Sequence, residues 1–372
     1  MKFTVARDIL VELLANVVGA VEKKHTTKIL ENVLLDVSAG QLRLVATDLE
    51  IELSSSIQIQ VDTEGAITAS ARKLLDITKA LPADSSITIE LEAENARLLI
   101  KGGRSRFELA TLPAEDFPEL DEIPLNTSIT LKESEFKRLL DKTSFCMANQ
   151  DVRYYLNGLL LDITSGQVNT VSTDGHRLAL CGLNDEAISV ADRASIIVPR
   201  KGALELSRLL EASSDVAVTV QLSNNHIRVE KDNIRFTSKL IDGKYPDYQA
   251  AVPSTTTITI QLDRLVFRDT LARVAILSNE KFRGIRLRLN DGTMTLMSNN
   301  PEQESAEEEM DINYSGEVFE IGFNVSYVLE AVNHMEGEMI DFNFTSSAAS
   351  ALLSSNEDVD VGVRYIVMPV RL

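Results

Sequence analysis

Three segments of the chain share one alternation of apolar and polar positions. Asn32–Asp48 reads NVLLDVSAGQLRLVATD, Asn157–Leu180 reads NGLLLDITSGQVNTVSTDGHRLAL, and Gly284–Asn300 reads GIRLRLNDGTMTLMSNN. Each is an apolar strand, a turn on a glycine (Gly40, Gly166, Gly292), a second alternating strand and a small polar terminus. A period of two marks strands, and glycine supplies the positive φ that a tight hairpin requires. Ahead of each hairpin stands a strand running into a helical pattern: MKFTVARDILVELL, SITLKESEFKRLL and ITIQLDRLVFRDTL. Behind each, Arg106-Phe107, Arg235-Phe236 and Arg364-Tyr365 open a short β-rich run, and the aromatic positions fall 129 residues apart both times. Three markers in one order at one period imply three tandem copies of a domain, each long enough for its own core. The expected domains are 1–125, 126–253 and 254–372.

Helical spacing predicts helices over Arg7–Val21, Ala71–Leu81 (stopped by Pro82), Glu133–Met147, Arg200–Glu211, Asp263–Leu277 and Val325–Met335. Two helices and many short strands per copy make an α+β fold with antiparallel sheets. Asp116–Pro124 and Lys244–Pro253 read as corresponding linkers, Pro301–Glu309 as an acidic loop, and Arg364–Leu372 as a closing strand.

The net charge of −19 argues against a protein that holds nucleic acid by electrostatic affinity. The acids gather on strand and loop segments: Glu90, Glu92, Glu94, Glu115, Asp116, Glu119, Asp121, Glu122, Glu302 to Glu309, Glu357 and Asp358. Several helical segments are basic instead, with Arg72, Lys73, Lys79, Lys137, Arg138, Lys142, Arg200, Lys201, Arg208, Arg264, Arg268 and Arg273. Ordinary solvated faces with i,i+4 partners account for such charges as readily as a nucleic-acid surface does. The opening MKFTVARDILVELLANVVGAV has no basic n-region or cleavage site, so neither a leader nor a membrane span is expected. Cys146 and Cys181 read as two reduced thiols.

No phosphate loop, nucleophile elbow or zinc-helix motif occurs, and His25, His176, His226 and His334 are scattered singly. Asp48, Glu50 and Glu52 alternate and would share one strand face, a set that a metal-dependent nuclease could use and a solvated sheet explains more simply. Asp174 in Asp174-Gly175-His176-Arg177 stands where Asp48 and Asn300 stand in the sister copies, so a turn role is expected of it. No catalytic residue and no metal ligand is assigned.

Several strings carry a resemblance. Gln150–Gly158 (QDVRYYLNG), Thr173–Leu178 (TDGHRL), Ile197–Gly202 (IVPRKG), Ile276–Gly284 (ILSNEKFRG), Asn299–Glu304 (NNPEQE), Gly322–Leu329 (GFNVSYVL) and Met368–Leu372 (MPVRL) closely resemble the bacterial DNA polymerase III beta subunits, the sliding clamps. The resemblance covers the whole chain in order. It implies a head-to-tail homodimer forming a ring of six similar domains, with helices facing the hole and sheets forming the rim. It further implies a cytoplasmic processivity factor, not an enzyme, with no cofactor and no membrane contact. Its partners would be duplex DNA, the polymerase III alpha subunit, the clamp-loader delta subunit and other proteins carrying a clamp-binding motif. An acidic protein-binding scaffold that never encircles DNA is the alternative.

By similarity, Lys24, Arg72, Gln150, Tyr154, Tyr155, Arg200 and Lys201 would touch DNA; Lys24 replaces an arginine of some relatives, keeping charge but losing a bidentate fork. A peptide-binding cleft would be walled by Leu156, Thr173, Gly175, His176, Arg177, Leu178, Pro246, Asn324, Tyr327, Ser350, Ile366, Val367, Met368, Pro369, Val370 and Arg371. Two departures fall here: Ala250-Ala251 where the family often has Arg-Val, and Val370 where it has Met. Ring closure would set Lys73, Arg104, Arg106, Phe107 and Leu109 against Ile276, Leu277, Glu302, Gln303, Glu304, Glu307 and Glu308. Ser305 stands where relatives carry an acid.

Overall fold

The computed structural model describes the chain except residues 23–25, 93–95, 121–122, 356–361 and 372. Lys24, Glu94, Asp121, Glu122, Glu357 and Asp358 therefore lie outside the described residues. Helices form where the apolar spacing puts them: α1 Arg7–Val17, α2 Ala71–Ala80, α3 Glu133–Thr143, α4 Arg200–Leu209, α5 Arg264–Ala275 and α6 Val325–His334. Leu10, Leu13, Leu14 and Val17 of α1 are buried, as the i, i+3, i+4, i+7 pattern requires. The helices stop earlier than the pattern alone suggests. α1 and α3 tighten into 3-10 turns at Val18–Ala20 and Ser144–Cys146, closed by the Val21 amide donating to the Val18 carbonyl and the Met147 amide to the Ser144 carbonyl. α5 begins one residue late because Asp263 is its cap, accepting from the amides of Leu265 and Val266 at 2.9 Å each.

All strand pairings among the described residues are antiparallel. The chain divides into two compact units, 1–134 with 204–240, and 135–203 with 241–372, so the middle copy is shared between them. The first unit holds one thirteen-stranded sheet; the second holds sheets of eight and four strands.

Two places in these sheets repeat one another. In the first unit, Ile51–Gln58 of the first copy pairs with Ile234–Lys239 of the second, Leu53 opposite Phe236. In the second unit, Arg177–Asn184 of the second copy pairs with Arg364–Val367 of the third, Ala179 opposite Tyr365. We call these the first and second seams. At each, a cation of the middle copy reaches the C-terminal carbonyls of a helix in its neighbour, where the helix dipole favours positive charge. Arg208 reaches Ala15 and Asn16 of α1 at 3.4 and 3.5 Å. Lys142 reaches the carbonyl of His334 in α6 at 2.6 Å.

The corresponding strands that remain lack such a neighbour. Ser305–Asp311 is the edge of the four-stranded sheet, paired only with Thr293–Asn299 among the described residues. In Ser105–Leu112, Ser105 to Ala110 pair on one side with Arg97–Gly102, and among the described residues only Thr111 and Leu112 pair on the other.

Three expectations are corrected. The acidic segment expected as a loop over Pro301–Glu309 is a strand from Ser305, because pairing with Thr293–Asn299 overrides the low strand propensity of glutamate. The closing strand ends at Val367, just ahead of Met368-Pro369, since proline cannot donate to a ladder. Asp48, Glu50 and Glu52 do not share a strand face. The strand starts at Ile51, and Asp48 bends the chain, its Oδ1 accepting from the amides of Glu50 and Ile51 at 2.9 and 2.7 Å.

Candidate functional site

The turn after Thr173 is the second-copy version of the Asp48 turn. Thr173 Oγ1 donates to the Arg177 carbonyl at 2.5 Å and accepts from the Gly175 amide at 3.0 Å. Asp174 Oδ1 accepts from the amides of His176 and Arg177 at 2.9 and 3.1 Å. In the third copy Asn300 Oδ1 accepts from the Glu304 amide at 2.9 Å. The turn role expected of Asp174 follows from short side-chain oxygens standing in for backbone carbonyls. Gly175 is needed twice over: its φ is +88°, and a Cβ there would lie 2.6 Å from Arg153 Nη1.

Arg153 itself is tied to Asp151 by bonds of 3.0 and 2.8 Å and to the Asp174 carbonyl at 3.0 Å. Its hydrogen bonds to Asp151 hold that carboxyl down at about 2. Asn157 closes the same loop, accepting from the Asp151 amide at 2.9 Å and donating to its carbonyl at 2.8 Å.

Arg177 is the hub of this surface. Its guanidinium binds Asp174 Oδ2 at 3.1 Å, the Phe145 carbonyl at 3.2 Å and the carboxylate of Glu330, and it lies 4.5 Å from the ring centre of Tyr327. The His176 ring lies nearly parallel to that of Tyr327, their centres 6.4 Å apart. Past the strand end, the Met368 amide donates to the His176 carbonyl at 2.9 Å and the Val370 amide to Gly322 at 2.8 Å. The ladder thereby carries the tail alongside the turn. Met368 is 43% exposed and Val370 38%.

The sixteen residues expected of the cleft divide into groups. Thr173, Gly175, His176, Arg177, Tyr327 and Met368 come together around the turn. Leu156, Leu178 and Ile366 are buried in a cluster with Leu160, Val171, Tyr245 and Tyr248, and Val367 is buried as well. Asn324 caps α6, accepting from the Ser326 amide at 2.9 Å. Ser350 is half-buried just before strand Ala351–Ser354. Pro246 lines a cavity of about 590 Å³ with Leu160, Arg193 and Tyr245. Val370 and Arg371 line a separate one of about 890 Å³, and Pro369 stands half-buried between Met368 and Val370.

Sequence reasoning missed what holds the Lys244–Pro253 wall. Asp162 is 3% exposed; Arg193 binds it with two bonds of 2.7 Å, and the Tyr248 hydroxyl donates to it at 2.8 Å. The signal was a carboxylate inside the apolar run Gly158–Thr164, which must find partners once buried.

Of the residues expected to meet DNA, Gln150, Tyr154, Arg200 and Lys201 line one hollow of about 450 Å³. Tyr154 is 58% exposed and stands edge-on to Tyr155 at 5.8 Å, while Tyr155 packs on the buried cluster. Arg200 spends one bond on the Met147 carbonyl at 2.9 Å. Arg72 is exposed and reaches the Val21 carbonyl at 3.0 Å. Among the residues expected at ring closure, Lys73, Arg104, Arg106, Glu302, Gln303, Glu304 and Glu307 are exposed, Phe107, Leu109 and Leu277 are half-buried, and Ile276 is 75% exposed. Glu308 is half-buried and already bound by Arg273, and Arg106 binds Glu108 at 2.9 Å. Among the described residues no group of three or more His, Cys, Asp or Glu could hold a metal ion, and no helix is long and apolar enough to cross a membrane.

Comparison with known proteins gives one family throughout. The chain matches the DNA polymerase III beta subunit over its N-terminal domain (residues 1–121), central domain (130–247) and C-terminal domain (249–371). The beta sliding clamp of Pseudomonas aeruginosa is 48% identical and that of Escherichia coli K12 43% identical, each over 373 residues spanning 100% of both chains. The crystal structure of the DNA polymerase III subunit beta from Pseudomonas aeruginosa superposes with a TM-score of 0.95 at 47% identity, covering 100% of both chains. A sliding clamp from the same organism bound to griselimycin matches with the same TM-score of 0.95.

Proposed function

The chain belongs to the DNA polymerase III beta subunit family, the sliding clamps, and from that premise we propose that two copies close head to tail into a ring around duplex DNA. It is a DNA sliding clamp, the non-catalytic subunit that gives its polymerase processivity. The copies are taken as 1–125, 126–253 and 254–372, and the ring works in the cytoplasm.

The observation that carries the ring is the repeated seam. The pattern used twice within the chain leaves Ser305–Asp311 and Ser105–Ala110 each with a bare edge among the described residues, and bare edges invite pairing. Joining them between two chains makes a third seam, and a head-to-tail contact closes when its rotation permits. Aligning the three turns and the Arg-aromatic markers sets Phe107 opposite Ala306 and Arg106 opposite Glu307. That register sets half-buried Phe107 against half-buried Ala306, and exposed Arg106 and Glu108 against exposed Glu307 and Ser305. Ile276 and Leu277 at the end of α5, with Lys73 on α2, complete the contact with Leu109, Arg104, Glu302, Gln303, Glu304 and Glu308.

Enclosure explains the charge. A ring threaded on DNA does not depend on tight phosphate binding, and strong contacts would hinder sliding. Lys24, Arg72, Gln150, Tyr154, Tyr155, Arg200 and Lys201 give a shallow, sequence-independent attraction inside an acidic body. The turn at Asp174, with Leu156, Leu178, Ile366 and the other cleft residues, receives short peptides from the polymerase alpha subunit, the clamp-loader delta subunit and further partners.

The decisive test loads the protein on nicked circular DNA and then linearises it. Retention on the circle with release from the linear form is expected; equal binding to both, or none to either, overturns the ring. Ile276→Ala with Leu277→Ala should shift the protein towards monomer in sedimentation. Lys24→Ala with Arg72→Ala should leave the dimer intact and weaken its hold on primed DNA.

A further inference from the structure

The three copies share a further feature beyond the turns and seams: a small pocket on one face of each hairpin, between its two strands and the segment that leads into it. In the first copy, Leu34 and Val45 are cross-strand partners, and with Leu30 ahead of them they form a buried cluster. The filler is Phe117, 6% exposed, from the linker segment at the end of the copy. In the second copy the same positions are Leu160, Val171 and Leu156, again with the strand pair in direct register. Their filler is Tyr245, 8% exposed, again from the linker segment at the end of its copy. Both fillers stand in one pattern, an aromatic, a proline and an acid: Phe117-Pro118-Glu119 and Tyr245-Pro246-Asp247.

In the third copy those positions are Arg286, Met297 and Phe282, with Arg286 directly opposite Met297. There the pocket is open. Among the described residues no aromatic side chain stands over it as Phe117 and Tyr245 stand over theirs, and Phe282 is 65% exposed where Leu30 and Leu156 are 1% and 2%. The cavity measures about 890 Å³ and is lined by Phe282, Arg286 and Met297, with Val370, Arg371 and Glu307 also on its wall. The substitution at the floor changes the chemistry as well as the volume. Arginine replaces the leucine of both other copies, and Arg371 adds a second cation, so the site suits an apolar ring accompanied by carboxylates.

We propose that this third pocket docks an extended segment of a partner protein that carries an aromatic residue followed by proline and flanked by acids, as Asp116-Phe117-Pro118-Glu119 does within the first copy. The ring of the guest fills the space between Phe282 and Met297, and its carboxylates meet Arg286 and Arg371. The pocket adjoins both surfaces described above: Val370 and Arg371 belong to the tail beside the turn at Asp174, and Ser305, Ala306 and Glu307 on its wall belong to the edge strand proposed for ring closure, so the site rests on that reading for what lies beside it.

The test uses the full-length protein and a free peptide of its own residues 114–120, AEDFPEL, monitored by calorimetry or fluorescence anisotropy. Binding should weaken about ten-fold or more when the peptide phenylalanine is replaced by alanine and when the protein carries Arg286→Glu, and it should survive Arg286→Lys and Met368→Ala. No measurable binding, equal affinity for the alanine peptide, or affinity lost with Met368→Ala and untouched by Arg286→Glu would overturn the proposal. So would a fall in particle mass on Arg286→Glu without peptide binding, which would assign the pocket to a second copy of the chain. Retention of Arg286→Glu on circular DNA is read in parallel. Its loss in the unmodified protein would count against the ring and leave the peptide result standing.

Discussion

The two seams are built from the same parts and end up with different surfaces. The first pairs five residues on each side and centres on Phe236 against Leu53, which are 1% and 0% exposed. The second pairs four, Arg177 to Leu180 against Arg364 to Val367, and then lets the chain run on as an irregular tail with Met368 exposed. One strand pair is finished as core; the other opens onto a surface. The difference lies in the segment leaving the second strand. After Lys239 the chain folds back over its own copy and buries Tyr245, whereas after Val367 the tail stays beside the turn at Asp174. Duplication supplied a junction, and divergence of one outgoing segment left that junction with an exposed surface.

Substitutions can break that contrast. The largest effect is expected of Phe236→Ala at the first seam, a loss of about 3–5 kcal/mol of stability because a fully buried ring leaves a cavity; chemical denaturation measures it. Arg177→Met at the second seam should cost about 1–3 kcal/mol, since the partners Asp174 and Glu330 are partly solvated and recover some hydration. It should also lower peptide affinity by disturbing the turn. Met368→Ala should leave denaturation unchanged and weaken a penta- or hexapeptide ligand by about 1–3 kcal/mol, as one apolar anchor does. Equal peptide affinity would remove Met368 from the binding surface.

Acid should move the two seams in opposite directions, the smallest of these effects. Burial pushes the Glu52 carboxyl up, against the opposing Leu120 amide, so its ionised form disfavours the folded first seam. Lowering pH from that raised value towards the unfolded value of about 4.3 should strengthen the seam. Glu336 at the second seam behaves in the reverse way. Burial raises its carboxyl, but Lys142 at 2.9 Å and Arg138 outweigh that and hold it low. Its contribution is complete above about 4.3 and is lost as pH falls through the lowered value. Hydrogen exchange of Ile234–Lys239 and Arg364–Val367, corrected for intrinsic rates, should therefore diverge on acidification. Parallel loss at both would contradict the assignment.

Much of this was legible in the residues themselves. The threefold repeat, six helices and hairpin turns follow from periodicity and from glycine at Gly40, Gly166 and Gly292, all local signals. The turn role of Asp174 could be read by comparing it with Asp48 and Asn300. What escaped was set by distant pairing. Nothing local makes SAEEEMD a strand; its neighbour Thr293–Asn299 does. Leu156, Leu178 and Ile366 look alike in sequence whether they wall a cleft or fill a core, and only packing shows them buried. The hold of Asp162 on Tyr248 spans 86 residues and has no local trace.

The middle copy belongs to both compact units, and this bears on how such a chain can be inherited. A recombination event that cut at the boundary between repeats would release Ile51–Gln58 or Arg177–Asn184 with raw backbone along one side. The repeats are therefore not exchangeable cassettes, although their sequences look modular. Change in this lineage has to arrive residue by residue within an intact triplet.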